Sequence, residues 1–120
     1  MDSRSDLDRL ATGWLSLPEL GEAIGEPVST LRQWVREGRL VTVSVGERRI
    51  ASVPSDLVRD GALVRGLASA LTVLRDGGFE PEQALAWLLS PDDVLGERPV
   101  DLMAAGRDVA VRRRAMTLAL

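Results

Sequence analysis

The sequence predicts a mainly α-helical protein: a capped helix pair, one small β-hairpin, and a C-terminal bundle of short helices. Three observations carry this. Ser29-Thr30-Leu31-Arg32-Gln33-Trp34-Val35-Arg36-Glu37-Gly38-Arg39-Leu40 reads as a short helix stopped by glycine, with Leu31, Trp34 and Val35 on one face. Two short β-type runs follow, joined at Val45-Gly46-Glu47. From Ala62 onward the apolar residues fall at helical spacing.

Residues 1–13 are polar and charged with little periodicity, and are expected to be a flexible N-terminal tail or a frayed helix. Ser16-Leu17-Pro18-Glu19 is a capping-box pattern, serine as N-cap and glutamate three residues on. It opens a helix through Leu20, Ala23 and Ile24 that stops at Gly25. Pro27 fits the opening of a second helix, which runs through about Glu37 until Gly38. Two short helices joined by a tight turn containing glycine form a helix-turn-helix pattern. Leu40–Val45 alternates and is rich in β-branched residues, so it reads as a strand. Arg49–Val53 is its return, ended by Pro54, and Pro54-Ser55-Asp56-Leu57 suits a short helical turn. Helix-turn-helix plus hairpin gives a winged helix-turn-helix over residues 14–60.

Residues 61–120 form the C-terminal helical domain. A helix is expected from Ala62 to Arg75, broken by Asp76-Gly77-Gly78. Another starts at Pro81, and Ser90-Pro91-Asp92-Asp93 has the N-cap pattern of a further helix. A short helix begins at Pro99 and ends near Gly106, and the last spans Asp108 to Ala119. This half is too short to fold alone and is expected to pack on the winged half or to dimerise.

Composition narrows the chemistry. The 120 residues are 45 % hydrophobic, too apolar for a disordered chain. Cysteine and histidine are absent, which removes disulfides, Cys/His zinc sites, thiol catalysis and histidine acid–base chemistry. No apolar run reaches the ~18 residues of a membrane span, and the N-terminus lacks a signal-peptide pattern. The expected location is cytoplasmic, without a membrane partner. No P-loop, dinucleotide fingerprint or nucleophile elbow is present, so neither an enzyme nor a cofactor is expected. Asp92-Asp93 reads as helix N-terminal charge, and no metal is expected.

Net charge is −3, yet its distribution is uneven. Residues 1–27 carry a net −4, residues 28–50 a net +3, and residues 51–120 a net −2. Local field governs contact with phosphates, so the basic middle segment points to double-stranded DNA. On the second helix, Arg32, Gln33 and Arg36 share a face by i,i+3 and i,i+4 spacing. Arginine binds phosphate or a guanine edge bidentately, and glutamine pairs with adenine. Ser29 and Thr30 sit in the first turn, where hydroxyls and open N–H groups meet phosphates. Arg39 extends the set past Gly38, and Arg48 and Arg49 lie at the hairpin tip, placed for backbone or minor-groove contact. The bland alternative is a solvated arginine face; the capped partner helix, the Gly25 turn and the hairpin supply the docking context against it. Trp14, Trp34 and Trp87 read as core residues. Arg112-Arg113-Arg114 reads as a solvated helix end, with a second DNA contact as the sharper alternative.

Leu17-Pro18-Glu19-Leu20, Gly25 and Thr30–Leu40 resemble the MerR and excisionase class of winged helix-turn-helix. Val45–Ile50 followed by Pro54–Leu57 resembles its wing and the turn after it. Across most of the chain, Leu74–Phe79, Ala86–Asp92 and Arg98–Asp101 resemble a small actinobacterial family of DNA-binding proteins, in which a winged helix-turn-helix precedes a helical domain. This resemblance implies DNA binding without catalysis, by a transcriptional regulator or nucleoid-associated factor. It gives Ser29, Arg32, Gln33 and Arg36 the recognition-helix role and Arg48 and Arg49 the wing role. The long dimerisation helix and effector cysteines of MerR regulators are missing, so inducer sensing and the MerR dimer are not implied. Trp87–Pro91 and Arg98–Leu102 also resemble the toxin-binding domain of one antitoxin class. The alternative function is therefore an antitoxin or adaptor whose residues 62–120 bind a protein partner or a second copy.

Overall fold

An ordered helix stands where the composition predicts a flexible tail or a frayed helix. The computed structural model describes residues 3–119, and Ser3–Leu10 forms helix α1. Its polar face is laced by Arg4–Asp8 and Asp6–Arg9 ion pairs at i,i+4 and i,i+3 spacing. Those pairs contribute little alone. The anchor is Leu7, fully buried where α1 packs on a later helix, α5 (Pro81–Leu89). Leu7 and Leu10 are the only apolar residues of the helix, too few to signal burial from sequence.

Strand β1 (Trp14–Ser16) follows, three residues too short to show alternation. Ser16 then caps helix α2 (Leu17–Ile24) through the expected capping box: Glu19 N–H donates to Ser16 Oγ at 3.3 Å and Ser16 N–H to Glu19 Oε1 at 2.8 Å. The Ser16 N–H, helped by its hydroxyl, holds the Glu19 carboxyl below the usual carboxylate value. Helix α3 (Val28–Arg36) follows a tight turn. Strand β2 covers only Val43–Val45, shorter than the expected Leu40–Val45 run, and β3 covers Ile50–Pro54. The sheet is antiparallel with order β1-β3-β2. Trp14 pairs with Pro54 and Ser16 with Ser52 on one side of β3; Val43 pairs with Ser52 and Val45 with Ile50 on the other.

The next elements depart from expectation at two places. Ser55–Leu57 makes the anticipated helical turn, of 3-10 type. Then β4 (Val58–Arg59) and β5 (Ala62–Leu63) form a second hairpin. Asp60 and Gly61 both have positive φ, 53° and 77°, as a two-residue turn of the mirror-image type I class requires. Ala62 and Leu63 are thus strand residues, and helix α4 starts only at Leu67, ending at Asp76. After α5, Ser90–Asp93 opens no helix. Asp92 instead folds back and accepts the N–H groups of Val94 and Leu95, the indole N–H of Trp87 and the Arg114 guanidinium. Burial raises this carboxyl, but those donors together bring it below its ordinary value. Helices α6 (Pro99–Ala104) and α7 (Asp108–Leu118) close the chain near their expected bounds.

A single apolar cluster runs through both halves, from Leu17, Leu20 and Leu31 to Leu71, Leu85, Leu88, Val100 and Ala115. The Cα radius of gyration is 13.4 Å, against roughly 13–14 Å for one compact unit of this length. The seam also carries a charged network. Asp56, its side chain 2 % exposed, accepts from Thr12 N–H and Oγ1 on one oxygen and from Arg98 on the other at 3.0 Å. Arg98 grips Asp101 through two further bonds of 2.8 and 2.9 Å, and Arg59 adds a third at 2.9 Å. Arg98 foremost, with Arg59, holds the Asp101 carboxyl at about 2 against an ordinary 3.8.

Arg98→Met should cost roughly 3–5 kcal/mol by leaving Asp56 buried without its cation, against about 0.5 kcal/mol or less for the exposed control Arg112→Met. Urea denaturation measures both, and equal losses would rule the network out as a tie. Because folding depresses the Asp101 pKa, its contribution is complete above pH 3.8 and is lost as pH falls toward about 2. Denaturation midpoints across that window should fall more steeply for the native chain than for Asp101→Asn.

Candidate nucleic-acid interface

The geometry of α2 against α3 is set at Gly21. A Cβ there would lie 2.6 Å from the Glu26 carbonyl oxygen and 3.7 Å from the Leu31 side chain. Glycine lets the connecting turn press onto α2, and Glu26 N–H closes the turn on the Gly21 carbonyl at 3.0 Å. Leu31 is fully buried in this crossing, with Trp34 and Val35 packed beside it.

The opposite face of α3 is open. Ser29, Arg32, Gln33 and Arg36 are exposed and Thr30 is half-buried. Pro27 precedes the helix and offers no side-chain cap to its first turn. At the other end Gly38, φ 75°, donates to Val35, and Arg39 N–H donates to Trp34 O. This paired closure requires the left-handed conformation that glycine adopts most readily. It also turns Arg39 back over the helix, its guanidinium 5.2 Å from the Trp34 ring centroid.

The structure joins three of the expected residues into one chain of contacts. Arg36 donates to Gln33 Oε1 at 2.6 Å, Gln33 Nε2 donates to Glu37 Oε2 at 3.0 Å, and Arg39 pairs with Glu37 at 3.6 Å. Glu37 was missed by reasoning from charge alone; its i+4 spacing from Gln33 was the available signal. Trp34 packs on the core as expected, but also carries Arg39. Arg32, Arg48 and Arg49 have no ion pair among the described residues. Arg48 and Arg49 are exposed in the four-residue loop 46–49, where Arg49 takes φ 50° and donates its N–H to Gly46 O at 3.1 Å. No hydrogen bond or ion pair links them to α3 among the described residues. In the C-terminal arginine run, Arg114 is committed to Asp92 at 3.1 Å, while Arg112 and Arg113 are exposed.

A helix pair backed by a small sheet, and four helices beyond it, can be compared with known proteins. Residues 64–119, which span α4–α7, match the family described as the Rv2175c C-terminal domain of unknown function. A Mycobacterium tuberculosis protein described as DNA-binding protein Rv2175c is 36 % identical over 118 residues, covering 86 % of this chain and 78 % of that protein. The chain belongs to the Rv2175c family. The NMR structure of Rv2175c has the same fold, with a TM-score of 0.76 at 32 % identity over 90 % of this chain and 82 % of that one. A helical protein with a small antiparallel sheet is thus the form of the Rv2175c family, compatible with a winged helix. Among the described residues, no helix is long and apolar enough to cross a membrane.

Gly21→Ala should destabilise the fold by roughly 1–3 kcal/mol, despite alanine's better helix propensity, because its methyl meets backbone. Thermal unfolding checks this, and a stabilised variant would show that the α2–α3 crossing has room to spare.

Proposed function

We propose that this chain binds double-stranded DNA through a winged helix-turn-helix of the MerR and excisionase type. In this reading α3 enters the major groove and the β2–β3 hairpin rests on the adjacent backbone. One observation carries it: α3 buries Leu31, packs Trp34 and Val35 beside it on the core, and presents Ser29, Arg32, Gln33 and Arg36 outward, within residues 28–50, whose net charge is +3 in a chain of net −3. The Rv2175c relative described as DNA-binding supports the same reading.

Arg32 has no ion pair to break among the described residues, so it reaches phosphate at little cost. Arg36 and Gln33 must exchange their contacts with each other and with Glu37 for contacts on DNA. Arg48 and Arg49 act as the wing's cations. In this reading the chain acts as a transcriptional regulator or nucleoid-associated factor in the cytoplasm.

Fluorescence anisotropy of a labelled duplex over a salt series tests the proposal. The native chain should bind with a salt-dependent affinity. The double variant Arg32→Ala/Arg36→Ala should keep its far-UV circular dichroism, and its log–log salt slope should shrink by roughly 0.9 per phosphate contact removed. A folded double variant with native affinity and slope would sink the assignment.

A further inference from the structure

A cavity of 320 Å³ lies between the α3 exit and the C-terminal helices. One wall comes from Arg36 to Thr42; the other comes from α4, α5 and the turn between them. Val41, Leu71, Phe79 and Ala84 make it apolar. The two charged residues in its lining, Arg36 and Arg75, are both cationic. Arg75 is weakly committed, 4.0 Å from Asp76. Its guanidinium lies across Gly38, so closely that a Cβ on Gly38 would fall 1.8 Å from Arg75 Nη1. The missing side chain at Gly38 is what admits a cation to this wall.

Ligand clefts of this size, about 300 Å³ and upward, pair an apolar lining with a few orienting polar groups. An apolar body with two arginines in the walls and no acid among the lining residues selects an anion. We propose that this cavity binds a small apolar carboxylate, with Arg75 as its counter-ion, and that the ligand competes with DNA for Arg36. The competition rests on the DNA-binding reading; the carboxylate site does not. Arg36 belongs to both surfaces, so a carboxylate that engages it lowers DNA affinity, and DNA lowers carboxylate affinity by the same factor.

The probes are 2-naphthoate and its uncharged counterpart 2-naphthamide, titrated into the full chain and followed by amide NMR shifts. Naphthoate should shift Gly38, Thr42, Leu71 and Ala84 saturably, and naphthamide should bind about tenfold more weakly. Arg75→Gln should weaken naphthoate by about tenfold while leaving DNA affinity unchanged in its absence. Saturating naphthoate should raise the DNA Kd of the native chain. Equal binding of the amide, undiminished binding to Arg75→Gln, or shifts outside the cavity would overturn the site. DNA affinity that ignores bound naphthoate would overturn the competition. Naphthoate binding by a chain that never binds DNA would uphold the site and overturn the DNA reading instead.

Discussion

The fold turns on the Asp56–Arg98–Asp101 cluster. Asp56 sits in the 3-10 turn after β3, Thr12 just before β1, Arg98 at the mouth of α6, and Arg59 in the second hairpin. Three stretches distant in sequence, at Thr12, Asp56–Arg59 and Arg98–Asp101, therefore meet on two carboxylates. Apolar contact alone is non-directional and would let the sheet slide on the bundle. Bonds of 2.8–3.0 Å from a planar guanidinium to two acids fix one arrangement. Asp92 repeats the device lower down, tying α5 to α7 through Trp87 and Arg114. With both acids satisfied, the bundle becomes a rigid base for α2 and α3.

That base explains the position of α3. Its buried stripe, Leu31 with Trp34 and Val35, belongs to the same apolar cluster as Leu71 and Leu85 of the C-terminal helices. The α3 exit is closed by Gly38, and Arg75 of α4 crosses that same glycine. Arg75 of α4 and the end of α3 are thus in direct contact through that glycine.

Much of this was legible in the sequence. The Ser16–Glu19 capping box, the Gly25 and Gly38 stops, the Val45–Ile50 hairpin and the last two helices follow local rules of capping and periodicity. What stayed hidden depends on distant partners. Helix α1 is secured by Leu7, with Leu10 beside it, in its packing on α5. Ala62 and Leu63 fit a helical pattern until Asp60-Gly61 is read as a turn that pairs them with Val58 and Arg59. Asp92 has the look of a helix cap, and only the approach of Trp87 and Arg114 makes it the centre of a loop. The face of α3 could be named from spacing, but its internal bonds could not, because Glu37 counts simply as negative charge until Gln33 and Arg39 are seen to hold it.

Those bonds divide the cations of the proposed interface into two kinds. Arg32, Arg48 and Arg49 are exposed and unpaired among the described residues, so they add long-range attraction that salt screens. Gln33, Arg36 and Arg39 are held by each other, by Glu37 and by the Trp34 ring. Glu37 opposes DNA contact by offering these side chains a carboxylate in place of phosphate. If the proposed DNA reading holds, a surface built this way would gather any duplex through the unpaired arginines and discriminate through the held ones. In that reading a base edge would have to replace a bond that already exists, and a poor replacement would leave the Glu37 chain intact.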